Sequence, residues 1–121
     1  MRIVDRNTFL KMPIGTVYCK YEPFIFEELS FKQRSIFLLD GTANDFCYSA
    51  IQDSMCNAVD VRHDIENFDQ FNANFQIDFD IVGRDGCFEY DQLFAVWDKP
   101  DIERLILKLQ QSLNSMEIDN V

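Results

Sequence analysis

The sequence predicts an α+β domain: an antiparallel β-sheet of about five to seven strands packed by a C-terminal helix, with one or two short additional helices. Three observations carry that expectation. Phe75, Ile77, Phe79 and Ile81 alternate with Gln76, Asp78 and Asp80, the period of two of a half-buried strand. Gly83-Arg84-Asp85-Gly86 follows with hairpin-turn chemistry, because Asp-Gly readily takes the positive φ angles of tight turns. Ile102, Leu105, Ile106, Leu109 and Leu113 then fall on one face of a helix.

The remaining elements are read in chain order. Asp5 caps a short helix over residues 6–12, buried through Phe9 and Leu10 and stopped by Pro13. After the turn at Pro13-Ile14-Gly15, residues 16–21 form a strand with Val17, Cys19 and Tyr21 on one side, interrupted by Pro23. Residues 24–31 and 35–39 read as two strands joined near Lys32-Gln33-Arg34. Residues 40–45 form a loop, and 46–51 another strand. Asp60 caps a helix running to about Asn72, with Val61, Ile65, Phe68 and Phe71 inward and Asp60, Asp64 and Asn67 on the wet face. Residues 87–90 and 93–97 return alongside the strand at 75–81. Asp98 caps the closing helix, Pro100 suits its first turn, and Asp101 faces the positive end of the dipole. Residues 114–121 are expected to fray. No repeat, linker or low-complexity tract divides residues 1–121, so one domain is expected.

Charge is the most informative bulk property. Eleven Lys and Arg against 21 Asp and Glu give a net charge of −10. Residues 1–39 carry six basic and four acidic groups, whereas residues 40–98 carry two basic groups, Arg62 and Arg84, and 13 acidic ones. Such a field repels phosphate backbones and anionic lipid and attracts basic surfaces, so direct nucleic-acid binding and membrane association are not expected. It also keeps a domain soluble, with or without a partner. The chain opens without an apolar signal-like stretch and has no span of membrane length, which points to a cytosolic protein.

Catalytic and cofactor signatures are missing. His63 is the single histidine, which excludes the HExxH pattern, and no CxxC pair or GxSxG elbow occurs. Cys19, Cys47, Cys56 and Cys87 are expected as reduced, buried thiols, and no family signature pairs Cys47 or Cys56 with His63. The GXXG at Gly83–Gly86 follows a strand rather than joining two helices, so it is not a nucleic-acid clamp. Asp78, Asp80, Gly83 and Glu89 match four of five positions of a calcium loop. Val82 removes a ligand, and the strand pattern replaces the entering helix, leaving calcium a minor alternative. Asp78/Asp80 and Glu89/Asp91 would approach one another across a hairpin, but 121 residues leave little room for a substrate cleft. No enzyme activity and no cofactor are expected.

The segment Asp5-Arg6-Asn7-Thr8-Phe9-Leu10-Lys11-Met12-Pro13-Ile14-Gly15-Thr16-Val17-Tyr18-Cys19-Lys20-Tyr21-Glu22-Pro23 resembles small uncharacterised acidic proteins of tailed phages and prophages. The stretch from Asp78-Phe79-Asp80 through Gly83-Arg84-Asp85-Gly86-Cys87-Phe88-Glu89-Tyr90-Asp91-Gln92-Leu93-Phe94-Ala95-Val96-Trp97 is similar to the same group, as is the closing helix. That group carries no assigned activity. The resemblance implies a phage or prophage source and work in the host bacterial cytoplasm, where small acidic phage proteins include anti-CRISPR and anti-restriction inhibitors that imitate DNA. The expected partner is a host protein with a basic surface, such as a nucleic-acid-binding effector. The expected contact face comprises Asp60, Asp64, Glu66, Asp69, Asp78, Asp80 and Asp85. Two alternatives stand beside it: a structural homo-oligomer joined through Phe88, Tyr90 and Trp97, and a nucleotide-signal sponge using Arg84 or Lys20.

Overall fold

The computed structural model describes residues 1–51 and 78–119. Asp5 opens the first helix, α1 (Arg6–Leu10), by accepting a hydrogen bond from the Thr8 N–H at 2.8 Å. Pro13 has no N–H to continue it. The strands are β1 (Arg2–Val4), β2 (Val17–Glu22), β3 (Ile25–Phe26), β4 (Ser30–Phe37), β5 (Ala43–Ala50), β6 (Gly83–Arg84) and β7 (Leu93–Val96). A long helix, α2 (Lys99–Asp119), follows. The chain is thus an α+β protein, with seven antiparallel strands, one short helix and one long C-terminal helix among the described residues.

Sheet order is β1-β7-β2-β4-β5-β6, with β3 paired to β2 beside β4. Strand β7 lies between the two N-terminal strands, opposing Ile3 with Ala95 on one side and Cys19 with the same Ala95 on the other. The core gathers where Phe9 stacks on Phe94 with ring centroids 4.0 Å apart. Tyr18 and Phe46 close around Phe9 at 4.6 and 5.0 Å, and Leu10 and Val96 complete the cluster. A short helix suffices as a lid because one Phe and one Leu fill the space above three aromatic residues of the sheet.

Several expectations are corrected. Residues 24–31 do run along β2, but as β3 and the start of β4, and Lys32-Gln33-Arg34 is no connection. It lies inside β4, where a register shift between Lys32 and Ser35 absorbs the irregularity. The alternating stretch ending at Ile81 does not continue as a strand over its described part, since residues 78–82 are turn and irregular backbone. There Asp78 Oδ1 accepts from the Asp80 N–H at 2.9 Å, a local bond that competes with strand pairing. Gly83-Arg84 is no hairpin turn but a two-residue strand on β5, and residues 87–90 form no strand. The expected carboxylate pairing across that hairpin is therefore not formed. The expected helix at 60–72 lies outside the described residues.

The C-terminal helix begins as expected, with Asp101 Oδ2 accepting from the Asp98 N–H at 2.9 Å. It continues to Asp119 rather than fraying after Leu113. Its apolar stripe does not cover the sheet: Ile102 and Leu105 are half-buried, whereas every side chain from Ile106 to Glu117 is exposed. Among the described residues, α1 is the helix that packs on the sheet. No helix of the described residues is long and apolar enough to cross a membrane.

Candidate functional site

The described carboxylates from the middle of the chain divide into two populations. Asp45, on β5, is fully buried and accepts from Arg84 Nε and from the Gly86 N–H at 3.1 Å. Burial alone would raise its carboxyl pKa, but the hydrogen bonds from Arg84 and from the Phe46 and Gly86 backbone hold it below the usual value. Asp85 follows β6 with its side chain only 3% exposed. Lys20 Nζ meets its Oδ1 at 2.7 Å and Arg6 Nη1 its Oδ2 at 3.8 Å. Burial depresses the Lys20 ammonium, and the hydrogen bond and charge of Asp85 more than reverse that effect. Asp98 pairs with Arg2 at 3.5 Å. Basic residues of the N-terminal segment thus neutralise Asp85 and Asp98.

Asp85 is accordingly corrected as a contact residue: its carboxylate is turned inward, where two cations hold it. Asp78 and Asp80 are exposed as the contact face requires. Asp60, Asp64, Glu66 and Asp69 lie outside the described residues, as do Cys56 and His63. Asp78, Asp80 and Glu89 form no metal-holding group among the described residues. Cys19 and Cys47 are buried as expected, and burial raises the Cys19 thiol. Cys87 is exposed instead, 3.9 Å from Lys20 Nζ. Tyr90 and Phe88 are exposed and Trp97 is half-buried. Lys20 and Arg84, the cations considered for a nucleotide, are both committed to internal carboxylates.

A different surface draws together charge and apolar area. Strands β2 and β3 meet in a two-residue turn, Pro23-Phe24, because Glu22 opposes Ile25. Proline fits the first turn position, and the second needs a positive φ that normally falls to Gly or Asn. Phe24 occupies it with φ 68°, and the residue is 96% exposed. Ile25 and Phe26 are exposed beside it, as are Glu22, Glu27 and Glu28. Gln92 Nε2 donates to the Tyr21 carbonyl at 3.1 Å and ties the 89–92 turn to this hairpin. The result is a cleft of ≈ 280 Å³ lined by Glu22, Glu89 and Asp91 together with Tyr21 and Pro23. Among the described residues, three carboxylates and no cation line it. A second niche, of ≈ 110 Å³, is lined by Tyr18, Lys20, Glu27, Ser30 and Asp85, where Lys20 and Asp85 are already paired with each other.

Sequence reasoning passed over Glu22 and Phe24. Their signal was available: a Pro followed by a large aromatic, with β-prone residues on both sides, is a hairpin turn whose second residue is misplaced unless its ring has another use. Comparison of the chain with protein-family profiles, with curated proteins and with solved structures finds no match.

Proposed function

We propose that this chain acts by binding a protein with a basic surface, and that the β2–β3 tip is its point of contact. The observation that carries this reading is the exposed, left-handed Phe24 beside a cleft walled by Glu22, Glu89 and Asp91. Large residues rarely hold positive φ, and such strain persists where the exposed side chain has a use. A phenylalanine standing in water next to carboxylates that pair with no cation among the described residues suits a partner with an apolar pocket rimmed by Lys or Arg. Asp78 and Asp80 extend the negative field. The net charge of −10 and the resemblance to small acidic phage proteins support a host protein as that partner, with inhibition as the outcome and a nucleic-acid-binding defence effector as the preferred class.

Recovery of tagged protein from a bacterial host lysate, at low and high salt, tests the proposal. A partner retained by the native chain at low salt should be lost at high salt, and lost at low salt from Phe24→Ala and from Glu89→Lys/Asp91→Lys. Retention by both variants would reject this surface.

Self-association is a second reading, favoured by α2. Ile102, Ile106, Leu109, Leu113 and Met116 alternate four and three residues apart, the spacing of a coiled-coil seam, and the last four are exposed. Its occupant would be the same helix of a second copy. A monomeric mass in solution at high protein concentration removes this reading.

A further inference from the structure

The positive charges of this acidic chain are distributed unevenly. Among the described residues, Arg2, Arg6, Lys20, Arg84, Lys99 and Arg104 each lie within ion-pairing distance of a carboxylate. Lys11, Lys32, Arg34 and Lys108 have no such partner among the described residues. Lys108 stands on α2. The other three all line one cleft of ≈ 790 Å³ between the end of α1, strand β4 and the loop leading into β5. Among the described residues, no Asp or Glu lines that cleft. Asp40, in the adjacent loop, accepts from the N–H and hydroxyl of Thr42, and Asp5, whose charge interacts with Lys11, is engaged in capping α1.

Lys32 is the unusual member. The residue is 1% exposed, and its Nζ donates to Ser35 Oγ at 2.8 Å and to the Gln33 carbonyl at 3.2 Å. Ser35 in turn donates to the Leu10 carbonyl at the end of α1. Those bonds account for two of three ammonium protons, both to neutral oxygens, and the Phe9 ring lies 5.9 Å away. A buried ammonium whose charge meets no anion is a destabilising arrangement, one that proteins retain mainly where something else supplies the charge. Burial accordingly lowers the Lys32 pKa. Apolar walls from Leu10, Met12, Pro13, Ile14, Phe37 and Ala43 make up most of the remaining described lining. A cleft of this size, mostly apolar with a few convergent polar groups, has the form of a small-molecule site.

We infer that this cleft binds a small organic anion, a phosphate or carboxylate group joined to an apolar body. The anionic group sits among Lys11, Lys32 and Arg34, and the body lies against Ile14 and Phe37. This site is separate from the β2–β3 tip, and it uses neither Lys20 nor Arg84.

Calorimetric titration of the full chain tests the inference with four probes: adenosine 5′-monophosphate against adenosine, and octanoate against octanol. Inorganic phosphate alone is the fifth. At least one organic anion should bind tenfold or more tightly than its neutral counterpart and than inorganic phosphate. Binding of the nucleotide alone identifies a phosphate ligand, and binding of octanoate alone a carboxylate. Lys32→Met, which removes the buried charge while keeping the stem, should weaken binding at least tenfold. Ile14→Glu, a change at the exposed rim remote from the core, should do the same with an unaltered circular dichroism spectrum. Phe24→Ala should leave binding unchanged. No anion binding at millimolar concentration overturns the inference. So does equal binding of the neutral counterparts, or binding that withstands both cleft variants.

Discussion

Asp85→Asn removes one negative charge from a place where two positive ones converge. Lys20 approaches Asp85 with a side chain 20% exposed, and Arg6 with one 4% exposed, so water cannot fully replace the lost carboxylate at either cation. Breaking a buried pair in this way costs about 3–5 kcal/mol. Arg6 keeps its 2.7 Å hydrogen bond to the Asn44 carbonyl, and Lys20 keeps some contact with solvent, which places the expectation near the lower end, about 3 kcal/mol. In urea denaturation the midpoint should fall by roughly 1.5 M at an unchanged slope. A double-mutant cycle with Lys20→Met should recover about 1.5 kcal/mol or more, since the second change removes one stranded charge. A loss below about 1 kcal/mol would place the pair among ordinary surface ion pairs and refute the reasoning. The result also bears on binding studies, because charge reversal at Asp85 would act through unfolding.

Other consequences are open to measurement. Phe9→Ala empties the centre of the aromatic cluster and should destabilise by about 3–5 kcal/mol in the same assay; a value under ~1 kcal/mol would show that α1 is dispensable to the core. Phe24→Gly should raise stability by roughly 0.5–1 kcal/mol, because it relieves positive φ at an exposed ring, while abolishing partner capture. A destabilised variant would mean that the ring packs rather than protrudes. Asp45 has a folded pKa below its unfolded value of about 3.9, so its stabilisation is present above that pH and is lost as pH falls through the folded value. Asp45→Asn should therefore lower stability at neutral pH and flatten the acid limb of the stability profile; an unchanged acid limb contradicts this assignment.

The sequence was most legible where local signals agreed with tertiary ones. Asp5, Pro13 and the pair Phe9-Leu10 defined α1, and Asp98 through Asp101 defined the start of α2. It was least legible where alternation had no partner strand to enforce it. Asp78 offers the backbone a local hydrogen bond, so period two at Phe79 and Ile81 did not produce a strand there. The stripe on α2 announced a helix but not its neighbour, since amphipathicity records a face and not what covers it. Charge behaved similarly. Composition located the carboxylates in the middle of the chain but carried no information on which of them the fold would turn towards Arg84 and Lys20. The cations at Lys11, Lys32 and Arg34, without a carboxylate partner among the described residues, were hidden for the same reason, because only three-dimensional pairing distinguishes them from Arg6 or Lys20.

The insertion of β7 between β1 and β2 has a consequence for how the protein is made. During synthesis, the strands around Ile3 and Cys19 leave the ribosome early, yet each must wait for Ala95 before its backbone finds a partner on that side. The stack of Phe9 on Phe94 is delayed with them. Pairings so distant along the chain close slowly, which leaves the nascent N-terminal half with open strand edges and exposed aromatic rings. Closure of the sheet around β7 should therefore come only after Ala95 has emerged, and chaperone demand should be highest before that point.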